Sequence, residues 1–117
     1  MLTVKETREK IANDQKWWAI HLMNFVDDFR RSRDLLAIEA PFRQSDQKMD
    51  ALVAATVESL CDELGLETPH WLEQIPECEE PWFVSGLERL KAITIVQSPL
   101  RFRMRKIFVL GNFLSRV

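Results

Sequence analysis

Apolar residues recur along most of this chain at intervals of three and four, the spacing of helices that bury one face. The clearest run is DQKWWAIHLMNFVDDFRRSRDLLA, where Trp18, Leu22, Phe25, Val26 and Phe29 fall at i, i+4, i+7, i+8 and i+11. Asp14 stands at the N-cap position of that helix, and Arg30, Arg31 and Arg33 crowd its end, where cations suit the helix dipole. Pro41 breaks the element, because the residue before a proline is biased away from helix. A second helix is predicted from near Asp46, carried by Met49, Leu52, Val53, Thr56, Val57, Leu60 and Leu64 and stopped by Gly65. Thr68 and Pro69 read as N-cap and first residue of a short helix with Trp71, Leu72 and Ile75 on its apolar side. Pro76 ends it, and ECEEP is an acidic connector. Residues 1–13 are highly charged, anchored only by Leu2, Val4 and Ile11, and read as a short lead helix or a frayed arm.

The C-terminal third is less clear. In PWFVSGLERLKAITIV, Ser85 and Glu88 have the S-x-x-E spacing of a capping box, with Val84 placed to staple it. Leu87, Leu90 and Ile93 are then the expected buried face. The β-branched ITIV suits a strand as well, but a lone strand has no partner. Ser98 and Pro99 repeat the N-cap and proline signal ahead of LRFRMRKIFVLGNFLSRV. Read as a helix, that tail puts Phe102 beside Lys106 and Arg101 beside Arg105. Read as a strand, it alternates Phe102, Met104 and Phe108 with Arg101, Arg103 and Arg105. The proline favours helix. The expected architecture is all-α: a single domain over residues 1–117, a bundle of four to five helices with a short C-terminal helix. Strand–helix alternation is absent, so an α/β fold is not expected.

Composition sharpens this picture. A chain of 117 residues with 46% apolar and 29% charged residues reads as one globular domain. Seven Phe and four Trp supply too much buriable surface for disorder. No apolar run exceeds five residues, far from the roughly 20 that span a bilayer. The N-terminus lacks the apolar core of a secretory signal, so a cytoplasmic protein away from membranes is expected. Cys61 and Cys78 are too far apart for CxxC chemistry and too few for a zinc site, and free thiols are expected.

Charge is unevenly spread. Residues 1–81 carry 9 basic and 17 acidic residues, whereas residues 82–117 carry 7 basic and 1 acidic. Such asymmetry points to a charged partner, or to two regions that face each other within the fold or across a homo-oligomer. The basic end is concentrated in Arg101, Arg103, Arg105 and Lys106, interleaved with Phe102 and Met104. Four cations in six residues suit phosphates, and Phe102 could stack a base. Against that stand a sequence pI of about 5.7 and the lack of a nucleic-acid-binding motif. Arginine also pairs bidentately with carboxylates, which suits an acidic protein surface. The commonest fate of such a run is a solvated or internally paired face. Trp82 and Phe83 follow Pro81 in an expected loop, as a core plug or as interface anchors.

Catalytic chemistry finds little support. Trp17, His21, Asn24 and Asp28 share one helix edge, a ligand-lining row or, more commonly, a helix–helix boundary. Neither His21 nor His70 has HxxxH or HExxH spacing, and three scattered glycines build no phosphate loop. Nothing assembles a nucleophile, base and oxyanion donor, so no catalytic residue, metal site or cofactor is expected.

The text PWFVSGLERLKA followed by VQSPLRFRMRKIFVLGNFLSRV resembles a family of small bacterial proteins. Their C-terminal half reads Pro-Trp-Phe, Leu-x-x-Leu-(Lys/Arg)-Ala, Ser-Pro-x-x-Phe-Arg-x-Arg, Ile-Phe-Val, Asn and Leu-Ser-Arg. Here the matching positions include Pro81, Trp82, Phe83, Leu87, Leu90, Ser98, Pro99, Phe102, Arg103, Arg105, Ile107, Asn112, Leu114, Ser115 and Arg116. LCDELGLETPHWL, residues 60–72, is similar to the family's middle, so about half of the chain is covered. The family resembles companions of nucleotidyltransferase-type toxins, and the resemblance implies an antitoxin or accessory role with no active site to carry over. The expected function is therefore a non-enzymatic protein-interaction module. Its expected contact region is Arg101, Arg103, Arg105 and Lys106 with Trp82 and Phe83. The alternative is a nucleic-acid-binding regulator that uses the same arginines.

Overall fold

The structure is a computed structural model and describes residues 1–115; Arg116, the last position of the resemblance, lies outside them. The chain is mostly helical. Its helices are α1 (Val4–Asn13), α2 (Trp18–Ser32), α3 (Gln47–Leu64), α4 (Lys91–Gln97) and α5 (Leu100–Met104). Two short strands, β1 (Trp82–Phe83) and β2 (Ile107–Phe108), complete it with short 3-10 turns.

The charged N-terminal segment forms a docked helix. Thr3 caps α1, its hydroxyl accepting from the Glu6 amide at 3.1 Å. Val4, Thr7, Arg8 and Ile11 are buried. The Leu2 amide donates to Asp28 Oδ2 at 2.9 Å, which ties the entry of α1 to α2. Arg8 is held inside because its Nε donates to Asp50 Oδ1 at 2.7 Å and its Nη2 to the Ser45 hydroxyl at 2.8 Å. A buried charge is tolerated only with such partners.

The predicted stripe of α2 supplies the middle of the core, with Leu22, Phe25, Val26 and Phe29 buried and Phe25 stacked on Phe29 at 5.8 Å. The start differs from expectation. Asp14 caps nothing with its side chain; α1 ends there, a 3-10 turn (Gln15–Trp17) intervenes, and Asp14 Oδ2 meets His21 Nε2 at 2.9 Å. The central helix α3 begins as its pattern predicts, with Asp46 Oδ1 accepting from the Lys48 amide at 3.1 Å. It ends on Gly65 at φ +68°, a conformation that costs a residue with a Cβ. Asp50 to Val57, Leu60 and Cys61 are all buried, so α3 is enclosed by α1, α2 and α5.

Local signals fail in the C-terminal half. The Thr68–Pro69 start slips by one residue: Pro69 occupies the cap, and His70–Gln74 is a 3-10 turn with Leu72 buried. The capping box at Ser85 and Glu88 does not form. Ser85 Oγ accepts from the Leu87 amide at 3.3 Å, Gly86 takes φ +69°, and Glu88 turns to Lys91 at 2.9 Å. Ser98 caps no helix either. Its hydroxyl is buried, contacts the Thr94 carbonyl and accepts from the Val109 amide at 2.8 Å, so it binds the end of α4 to the chain after β2. The C-terminal tail is helix and then strand. After Met104 the chain turns through Lys106 at φ +61° into β2. There Ile107 and Phe108 pair in parallel with Trp82 and Phe83. The Trp82 amide donates to the Lys106 carbonyl at 2.8 Å and the Val84 amide to Phe108 at 3.2 Å. A parallel pair needs a crossover, and α4 and α5 are that crossover.

Candidate functional site

The structure divides the predicted contact residues among different tasks. Arg101 forks onto Asp62 of α3, with Nε to Oδ2 at 2.8 Å and Nη2 to Oδ1 at 3.1 Å. Hydrogen bonding to Asp62 raises its pKa above the ordinary arginine value. Arg105 is buried: Nε donates to Glu58 Oε1 at 2.7 Å, Nη1 to the Ile75 carbonyl at 2.7 Å and Nη2 to the Leu72 carbonyl at 2.9 Å. Lys106 lies near Glu77 at 3.9 Å, half exposed. Arg103 alone of the four is exposed without an ion pair among the described residues. Trp82 and Phe83 are partly buried in β1, with Phe83 stacked on Phe108 at 5.0 Å. Lys48 lies 5.9 Å over Trp82 and Lys91 5.3 Å over Phe83. These six residues do not form one exposed patch. The basic end and the acids of α3 face each other within the fold.

A different surface stands out. Of the expected buried face of the ERLKAITIV segment, Leu90 is only partly buried and Leu87 and Ile93 are exposed. Leu87 is 47% exposed, Ile93 43%, Ile95 48% and Val96 79%, and α4 buries only Thr94. The surface continues on α5, where Leu100 is 60% exposed and Met104 58%. Single exposed apolar residues are ordinary, but six exposed within 18 residues is a concentration of the kind that interaction sites show. Its charges are mostly cations: Glu88 is paired with Lys91, and Arg89 and Arg103 stand beside them. Arg89, Ile93 and Val96 follow at i, i+4 and i+7, and Leu100, Arg103 and Met104 at i, i+3 and i+4. Arg89 and Arg103 have no ion pair among the described residues. Sequence reasoning missed this surface by placing Ile93 inside. The available signal was that AITIV is apolar on every side, more than one short helix can bury.

A groove of about 580 Å³ lies between the Leu35–Ile38 turn and the segment around Pro69. Leu35 and Leu36, 50% and 60% exposed, line it with Trp71. The Trp71 indole is fixed by donation to the Ile38 carbonyl at 2.9 Å and by edge-on packing against Phe42 at 5.4 Å. Asp34, Glu39 and Glu67 supply negative charge at its walls.

Three members of the Trp17 row have separate partners. Trp17 is half exposed under Lys16, His21 meets Asp14, and Asp28 holds the Leu2 amide, which lowers its pKa below the ordinary aspartate value. Burial pushes the Cys61 thiol up to about 11 and that of Cys78 upward as well, so neither is a ready nucleophile. Among the described residues no group of three His, Cys, Asp or Glu could hold a metal ion, and no helix is long and apolar enough to cross a membrane. Comparison with protein-family models, curated proteins and solved structures gives no match to this chain.

Proposed function

We infer that this chain is a non-enzymatic helical-bundle module of the cytoplasm that acts by binding another protein. The observation that carries this reading is the exposure of Ile93, Ile95 and Val96 on a helix held by one buried residue. Leaving such side chains in water forgoes about 25 cal/mol for each Å² that a partner could cover. The contact region is accordingly the α4–α5 face with Arg103, while Arg101 and Arg105 support it from beneath through Asp62 and Glu58. A toxin-like partner, as the sequence resemblance implies, would make the module an antitoxin or accessory protein. A nucleic-acid-binding role for the same basic run has less support, because phosphates would compete with carboxylates already bound by Arg101 and Arg105.

The test is affinity capture from native lysate with nuclease present, comparing wild type with Ile93→Asp plus Val96→Asp. A stoichiometric protein partner is expected with wild type and not with the variant. Equal capture by both would sink the assignment to α4. Partners that vanish with nuclease would favour the nucleic-acid reading.

A further inference from the structure

We propose that the α4–α5 face of one copy docks into the Leu35–Trp71 groove of a second copy, so that the chain self-associates head to tail. The proposal rests on α4 being an interaction surface and adds its receptor. The two surfaces are both apolar. α4 is a short helix that packs against the preceding turn and β2, reaches Phe83 through Lys91 and Gly111 through Gln97, and leaves Ile93, Ile95 and Val96 exposed. The groove is shallow and open, lined by the fixed Trp71 and by exposed Leu35 and Leu36. An apolar helix laid in an apolar groove is a common recognition mode.

They are also complementary in charge. The α4–α5 segment carries Arg89 and Arg103 without ion pairs among the described residues, beside a Glu88–Lys91 pair, while Asp34, Glu39 and Glu67 line the groove. Glu39 and Glu67 have no ion pair among the described residues, so they are free to receive cations. A symmetric pairing of α4 with α4 would leave Arg89 and Arg103 without the carboxylates that the groove supplies. Pairing two different patches is heterologous and gives open chains or closed rings. A formal net charge of −2 does little to keep copies apart. A different protein on the α4 face would compete with this self-association.

The test uses the purified full chain and two variants that each disable one surface. One is Ile93→Asp plus Val96→Asp on the helix face; the other is Glu39→Lys plus Glu67→Lys in the groove. Sedimentation velocity should show wild type growing in mass with concentration, and less so at high salt. Each variant alone should be monomeric, with at least a tenfold weaker self-association. Mixed one to one, they should form a dimer and nothing larger, through the one intact face and the one intact groove. A wild type that stays monomeric to millimolar concentration overturns the proposal. So does a groove variant that self-associates like wild type, although loss in the helix variant alone would leave α4 an interaction surface with another receptor. Failure of the mixture to dimerise overturns it as well.

Discussion

The guanidinium of Arg105 is buried against Glu58, its Nε donating to Oε1 at 2.7 Å, and its remaining nitrogens reach the carbonyls of Leu72 and Ile75. One side chain thus joins α5, α3 and the turn after α3. It sets the height at which α5 leaves the core and presents Leu100, Arg103 and Met104 to solvent. Replacing it by Leu removes the close partner of Glu58, which keeps Arg101 Nη1 at 3.7 Å. It also removes the side-chain donor of the Ile75 carbonyl, while the Leu72 carbonyl keeps the Ile75 amide at 3.1 Å. Arg105→Leu should cost about 1–3 kcal/mol, the scale for a buried polar group left without its partner. Urea unfolding followed by circular dichroism measures it. A loss under about 1 kcal/mol would show that the bracket is dispensable.

The α4 face should behave oppositely. Ile93→Asp plus Val96→Asp removes apolar groups that touch water already, and aspartate is about as helix-prone as valine. Stability should change by no more than about 1 kcal/mol. Binding of a hydrophobic dye to the native protein should fall.

Ser98 offers a contrast between local signal and use. The sequence marks it as an N-cap, yet its hydroxyl takes the Val109 amide at 2.8 Å. Ser98→Ala leaves a buried amide unpaired and should cost about 1–3 kcal/mol. Hydrogen exchange at the Val109 amide should accelerate more than at amides of α2.

Lys106 adopts φ +61° where α5 gives way to β2. Glycine reaches that conformation without penalty and β-branched residues reach it poorly. Lys106→Gly should stabilise by up to about 1 kcal/mol and Lys106→Val should destabilise by more than that. Thermal melts of the pair give both signs.

Titration of Cys61 should be visible at alkaline pH. Its folded pKa, about 11, lies above the ordinary value of 9.0, so the folded chain holds the proton more tightly than the unfolded chain. The stabilisation is therefore full below about pH 9 and is lost as pH rises toward 11. Native protein at pH 8 should react slowly with a thiol reagent, and Cys61→Ala should flatten the alkaline limb of the stability profile.

The sequence by itself determined α2 and α3, because each is long enough for its apolar stripe to repeat several times and for caps such as Asp46 and Gly65 to agree with it. It also contained the pairing of the basic end with α3, as a charge asymmetry whose two halves meet in space. Tertiary structure alone decided the rest. Two-residue strands are too short to show alternation, and β1 finds its partner only after α4 and α5 have brought β2 beside it. Ser85 and Ser98 resemble caps locally, but a turn through Gly86 at positive φ claims the first and the Val109 amide the second. Arg101, Arg103 and Arg105 are neighbours in sequence and part in space, because a five-residue helix turns two toward α3 and one toward water. Exposure of α4 likewise follows from what packs against it and not from its own residues, which are apolar enough to belong in a core.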